Sequence, residues 1–120
     1  MITHPTETPT MTENQIIIDL LIAKRKAEEA INISDNAGTC NFDHPTVKVA
    51  KEHTASFIAA AQSLGFRCHP MTSTGWKDRL DLSGVPGARY QGAARTAGAE
   101  AFASALAECG YDTRVFYMMD

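Results

Sequence analysis

Apolar and polar positions alternate along this chain in a pattern that changes period several times. Over residues 13–33, Ile17, Leu20, Leu21, Lys24, Ala27 and Ile31 follow helical spacing, with Lys24, Arg25, Glu28 and Glu29 turned mostly outward. Thr12 with Gln15 matches a capping box that opens this helix. Ile16–Ile18 plus Leu20–Ile22 is more apolar than one buried stripe needs, which predicts a second covered face, in a subunit contact. Residues 34–45 are a polar loop. Thr46–Ala50 then alternates as a short strand with Val47 and Val49 on one face. A helix from Glu52 or Thr54 to Leu64 turns Phe57, Ile58, Ala61 and Leu64 inward and stops at Gly65. Phe66–Met71, a turn at Thr72–Gly75 and Trp76–Leu82 predict a β-hairpin. The alanine-rich run Ala93–Glu108 is a third helix ended by Gly110, and Thr113–Met119 is a last strand.

The predicted order is therefore α-β-α-β-β-α-β. It describes an α+β fold with a four-stranded, mostly antiparallel sheet and helices packed on it. Residues 1–12, rich in threonine and proline, read as a flexible tail, and residues 13–120 as a single ligand-binding domain. The tail has neither the basic nor the apolar region of a signal peptide, and no apolar run reaches the roughly 18 residues of a membrane span. The expected location is cytoplasmic. A net charge of −3 argues against long nucleic acid as a partner, yet leaves room for a small phosphorylated ligand that needs only a few cations. Cys40, Cys68 and Cys109 are an odd number, which suits reduced thiols. The spacing of Cys40 and His44 has no second pair to complete a metal site, so neither metal nor cofactor is assigned.

Two loops concentrate the candidate chemistry. Gly84–Thr96 carries glycines at 84, 87 and 92 and empties into the third helix, whose free N–H groups and positive end suit an anion. Arg89 and Arg95 flank that point and have the fork geometry for phosphate oxygens. Read blandly, the same glycines only turn the chain and the arginines are solvated. The earlier loop sets Thr39, Asn41, Phe42 and Asp43 together. These side chains suit a phosphate, ribose or base hydrogen-bonding groups, and stacking. Alternatively, Phe42 anchors the loop in the core. Trp76 is either a hairpin core residue or a stacking platform. No catalytic residue is assigned: Cys40 with His44 or His53 lacks an orienting third group, and Asp78 and Asp81 fall on opposite sides of a strand.

Gly38-Thr39-Cys40-Asn41-Phe42-Asp43 after the first helix, Tyr90-Gln91-Gly92-Ala93-Ala94-Arg95-Thr96 opening the last one, and Val115-Phe116-Tyr117-Met118-Met119-Asp120 at the end together resemble a family of small phage proteins. That family is the first type of Thoeris anti-defence protein, and the resemblance covers about residues 12–120. It implies a non-enzymatic phage sponge that binds a cyclic ADP-ribose isomer, with some members also taking cyclic oligonucleotides, and holds the signal without cleaving it. It implies a homodimer or higher oligomer acting in the host cytoplasm. Arg89, Gln91, Gly92, Arg95 and Thr96 would then face phosphate and ribose, while Thr39, Asn41, Phe42 and Asp43 line the neighbouring wall. The chain departs from the pattern at Tyr90, where a glycine is expected. Two other functions fit the residues: a small nucleotide hydrolase using Asp43 or Cys40, and a protein-binding inhibitor using the surplus apolar face of the first helix.

Overall fold

A computed structural model describes residues 12–32, 43–86 and 92–117. Its elements are α1 (Glu13–Asn32), β1 (His44–Lys48), a short 3₁₀ turn (Lys51–His53), α2 (Thr54–Ser63), β2 (Arg67–Pro70), β3 (Leu80–Ser83), α3 (Gly92–Glu108) and β4 (Asp112–Phe116). Thr12 opens α1 as its spacing predicts, its Oγ1 accepting from the Gln15 backbone N–H at 3.1 Å. The Gln15 side chain does not return to the cap; it donates to Asp19 Oδ1 at 3.0 Å instead. At the far end of α2, Gly65 adopts φ +86°, the left-handed conformation that releases the chain toward β2.

The four strands lie in the order β2-β3-β1-β4, and every neighbouring pair is antiparallel. Strands β1 and β2 are thus parallel with β3 between them, the split βαβ arrangement, here preceded by an extra helix. Register sorts the side chains. Val47 pairs with Leu80 and Cys68 with Leu82, and these four face the helices. α2 and α3 pack on that face, α3 over β1 and β4 and α2 over β2, while α1 lies against α3 and α2. The core joins Ile16, Leu20, Ala23 and Ala27 of α1 to Phe57, Ala60 and Ala61 of α2 and to Phe102, Ala105 and Leu106 of α3. Small residues let α3 come close to its neighbours. A Cβ added to Gly98 would stand 2.7 Å from the Pro86 carbonyl oxygen and 3.1 Å from Ile31 Cδ1.

The structure departs from the sequence pattern in three places. The buried stripe of α1 is Ile16, Leu20, Ala23, Ala27 and Ile31, shifted by one residue at its start from the expected one. Ile18, Leu21 and Ile22 stand on the opposite side, about half exposed. Residues 76–79 are not strand: Trp76 N–H bonds the Ser73 carbonyl and Arg79 N–H the Trp76 carbonyl, both at 3.0 Å, so this segment is a turn. The reason is Arg79, whose guanidinium is buried against β1 and holds the segment over the sheet. β1 itself begins two residues earlier than expected, at His44, and ends before Val49. The tail of residues 1–11 lies outside the described residues, and among the described ones no helix is long and apolar enough to cross a membrane.

Candidate functional site

The two polar loops of the sequence end at one point. Asp43 closes the first loop and is buried beside the start of α3. Arg95 Nε donates to the Asp43 carbonyl oxygen at 3.1 Å, and Thr96 Oγ1 donates to Asp43 Oδ2 at 2.7 Å. Gly92, which begins α3, takes φ +59°, a conformation its missing Cβ permits. A carboxylate here is favourable because the first turn of a helix presents partial positive charge. Around this joint, Asp43, His44, Ser83, Gly84, Val85, Pro86, Arg95 and Ala99 line a shallow recess with about 10 Å³ of free space. The loop glycine at 84 and the arginine at 95 therefore share a wall with Asp43.

Of the residues chosen from sequence, Asp43, Gly92, Arg95 and Thr96 meet at this joint. Thr39, Asn41, Phe42, Arg89, Tyr90 and Gln91 lie outside the described residues. Trp76 does not line the cleft. It sits half-buried on the sheet's open face, its ring centroid 4.9 Å from that of Phe116 and the two planes at 69°. Phe116 stacks in turn on His44, centroids 5.4 Å apart at 16°. Sequence reading passed over Ser83, Val85 and Pro86, and for these small and apolar residues the sequence holds no signal. From sequence His44 stands out only beside Cys40, in a thiolate pair or a metal pair; the structure sets it on the open face of the sheet, stacked on Phe116.

The open face has its own polar order. Arg79 Nε donates to Thr46 Oγ1 at 2.9 Å, and its Nη2 reaches the Asp112 carbonyl at 2.9 Å and Asp112 Oδ1 at 3.2 Å. Thr46 Oγ1 donates onward to the Arg114 carbonyl at 2.9 Å, so one buried guanidinium ties the turn to both β1 and β4. At the exposed rim, a hydrogen bond from Lys48 holds the Asp78 carboxyl below its ordinary range, with the two groups 3.3 Å apart.

The described thiols are poor nucleophiles. Burial, followed by the Asp81 charge, pushes Cys68 up to about 12. Burial and then Asp19 raise Cys109 as well. Among the described residues, no three His, Cys, Asp or Glu side chains stand together as metal ligands. What the joint offers chemically is recognition: a carboxylate, a guanidinium, a hydroxyl and a helix start, within one small recess. The fold and this recess define a class, a split βαβ domain with a polar cleft where β1 starts, β3 ends and α3 begins. No family model, curated protein or solved structure matches the chain.

Proposed function

We propose that this protein binds a small cyclic nucleotide, of the cyclic ADP-ribose class, and sequesters it without reaction. One observation carries the reading: Arg95 and Thr96 at the start of α3 are bonded to Asp43, so the ends of both nucleotide-suited loops share one recess. Within it, Asp43 is the acceptor for a ribose hydroxyl, and Arg95 with the α3 start faces a phosphate. The free space of the recess, about 10 Å³, admits about one water, far below the roughly 300–1,000 Å³ of a ligand pocket. The reading therefore has the ligand touch the recess only at its edge and assigns the rest of the ligand to Thr39, Asn41, Phe42, Arg89, Tyr90 and Gln91. The family resemblance of the same loops points the same way, to an anti-defence sponge.

The test is direct. Purified protein is incubated with the product of an activated TIR-domain enzyme, washed and heated, and the released small molecules are identified by mass spectrometry. Intact cyclic ADP-ribose isomer is the expected result; a hydrolysed product would move the protein into the hydrolase class. A second reading has one observation in its favour. Ile18, at 51% exposure, with Leu21 and Ile22 forms an apolar stripe on the outer side of α1 that suits a protein partner, either a host enzyme or another copy of this chain. Sedimentation of the protein alone separates these two, since only self-association changes mass without a host extract.

A further inference from the structure

With about 10 Å³ of free space, the recess beside α3 admits one water, so a nucleotide held at this joint must lie against the exposed side chains that border it. Among the described residues, the large apolar side chains that stand exposed are Ile18, Leu21 and Ile22 on α1 and Tyr117 after β4. The first three are on the outer side of α1. Tyr117 is beside the joint. His44 and Phe116 are the last pair of β1 and β4, and one step further along the two strands come Asp43 and Tyr117.

Both residues reach α3 on the same face, one helical turn apart. Thr96 Oγ1 donates to the Asp43 carboxylate at 2.7 Å, and the Tyr117 hydroxyl donates to Glu100 Oε2 at 2.5 Å. A charge-assisted bond of this length holds the hydroxyl end of the ring in place, while 60% of the residue stays open to solvent. The same bond, followed by burial and the charges of Glu100 and Asp43, pushes the hydroxyl up to about 12, so it goes on donating at neutral pH. An aromatic ring fixed before binding gives stacking area at little cost in side-chain entropy. Its neighbours decide what stacks. The carboxylates of Glu100 and Asp43 repel a phosphate from this flank, whereas Arg95 and the positive end of α3 attract one. The part of a nucleotide left for the ring is its flat, uncharged base.

On the nucleotide reading of the joint, on which this step depends, we propose that Tyr117 is the platform on which the base stacks and that Glu100 is the positioning residue that holds the ring. The adenine of a cyclic ADP-ribose isomer is then bound from the β4 side, and its phosphates from the start of α3.

Calorimetry with the cyclic ADP-ribose isomer made by a TIR-domain enzyme compares the wild type with Tyr117→Ala, Tyr117→Phe and Glu100→Gln. Loss of one stacking ring weakens binding by roughly 10- to 100-fold, and this is the result expected for Tyr117→Ala. Tyr117→Phe keeps the ring and loses its tether, so a smaller loss of roughly two- to tenfold is expected, with Glu100→Gln in the same range. In the wild-type complex, nuclear Overhauser contacts are expected between the Tyr117 ring protons and the base protons. That measurement needs no variant, so a misfolded substitution leaves the test intact. A wild type that binds while Tyr117→Ala binds equally well, or a bound base without contacts to the ring, overturns the platform and leaves the nucleotide reading in place. A wild type that does not bind the isomer at all overturns both.

Discussion

Arg79 is the residue whose role the linear pattern hides most completely. In sequence it stands between Asp78 and Leu80, inside the segment Trp76–Leu82 that the pattern predicts as a strand. In the fold its side chain is only 4% exposed and satisfies acceptors on two strands. Burial of a guanidinium is tolerated because every bond it makes is charge-assisted. Arg79→Ala is therefore expected to cost about 2–4 kcal/mol, since it strips a donor from Thr46 and from the Asp112 carbonyl. Arg79→Lys keeps the charge but loses the fork, and a cost of about 1–2 kcal/mol is expected. Urea unfolding measures both. Equal stability of all three proteins would show that the turn does not depend on this contact. No sequence rule could have found the arginine, because what buries it is the meeting of a turn with β1 and β4, residues 33 positions away on either side.

Among the elements, α1 shows most clearly what polar contacts decide after apolar spacing has done its part. Its sequence offers more apolar positions than one face can use, so spacing alone leaves the rotation open by a residue. Asp19 settles it. Tyr111, at the entry to β4, donates to Asp19 Oδ2 at 2.6 Å while Gln15 donates to Oδ1, so the buried carboxylate turns Ile16 and Leu20 inward and Ile18 outward. Tyr111→Phe removes one of these donors and is expected to cost about 1.5–3 kcal/mol. Burial, then the bond to Asp19, raises the Tyr111 hydroxyl well above its ordinary range. A raised value in the fold means the advantage is complete below the free tyrosine value near pH 10 and shrinks as the unfolded chain ionises above it. Between pH 9 and 11, the stability gap between wild type and Tyr111→Phe should narrow by about 1 kcal/mol; a constant gap would exclude this linkage. The elements themselves were legible because their periods are local: three helices and four strands follow from spacing, caps and glycines. Strand order was not, since pairing β1 between β3 and β4 depends on contacts distant in sequence. The third helix adds a tight case. Gly98→Ala gains helix propensity of about 1 kcal/mol, but its methyl meets a backbone carbonyl at 2.7 Å, so net destabilisation of about 1–3 kcal/mol is expected in thermal melts.

For the molecule as a whole, the split βαβ scaffold matters because it brings loop ends that are 49 residues apart in sequence, Asp43 and Gly92, to the start of one helix. That convergence explains why the sequence suggested the site and could not complete it. Residue types identified the two loops separately, and only the fold makes Asp43 a partner of Arg95 and Thr96. It also gives Arg95 two duties that a binding assay alone would confuse. Through Nε it fastens the first loop to α3, and under the proposed function the same side chain is also assigned to the phosphate. The two duties separate by readout. Each contact has the charged guanidinium as donor and is worth about 1.5–3 kcal/mol, but loss of the carbonyl contact lowers stability, whereas loss of the phosphate contact lowers affinity, by roughly 10- to 150-fold. Thr96→Val cuts the other bond of the same joint without touching any cation, so it serves as the control. If the proposed function holds, Arg95→Ala weakens cyclic ADP-ribose binding in calorimetry far more than Thr96→Val does, while the two variants melt within a few degrees of each other. Equal losses of affinity would mean that Arg95 acts only by seating Asp43, and the phosphate would then belong to the other loop arginine, Arg89.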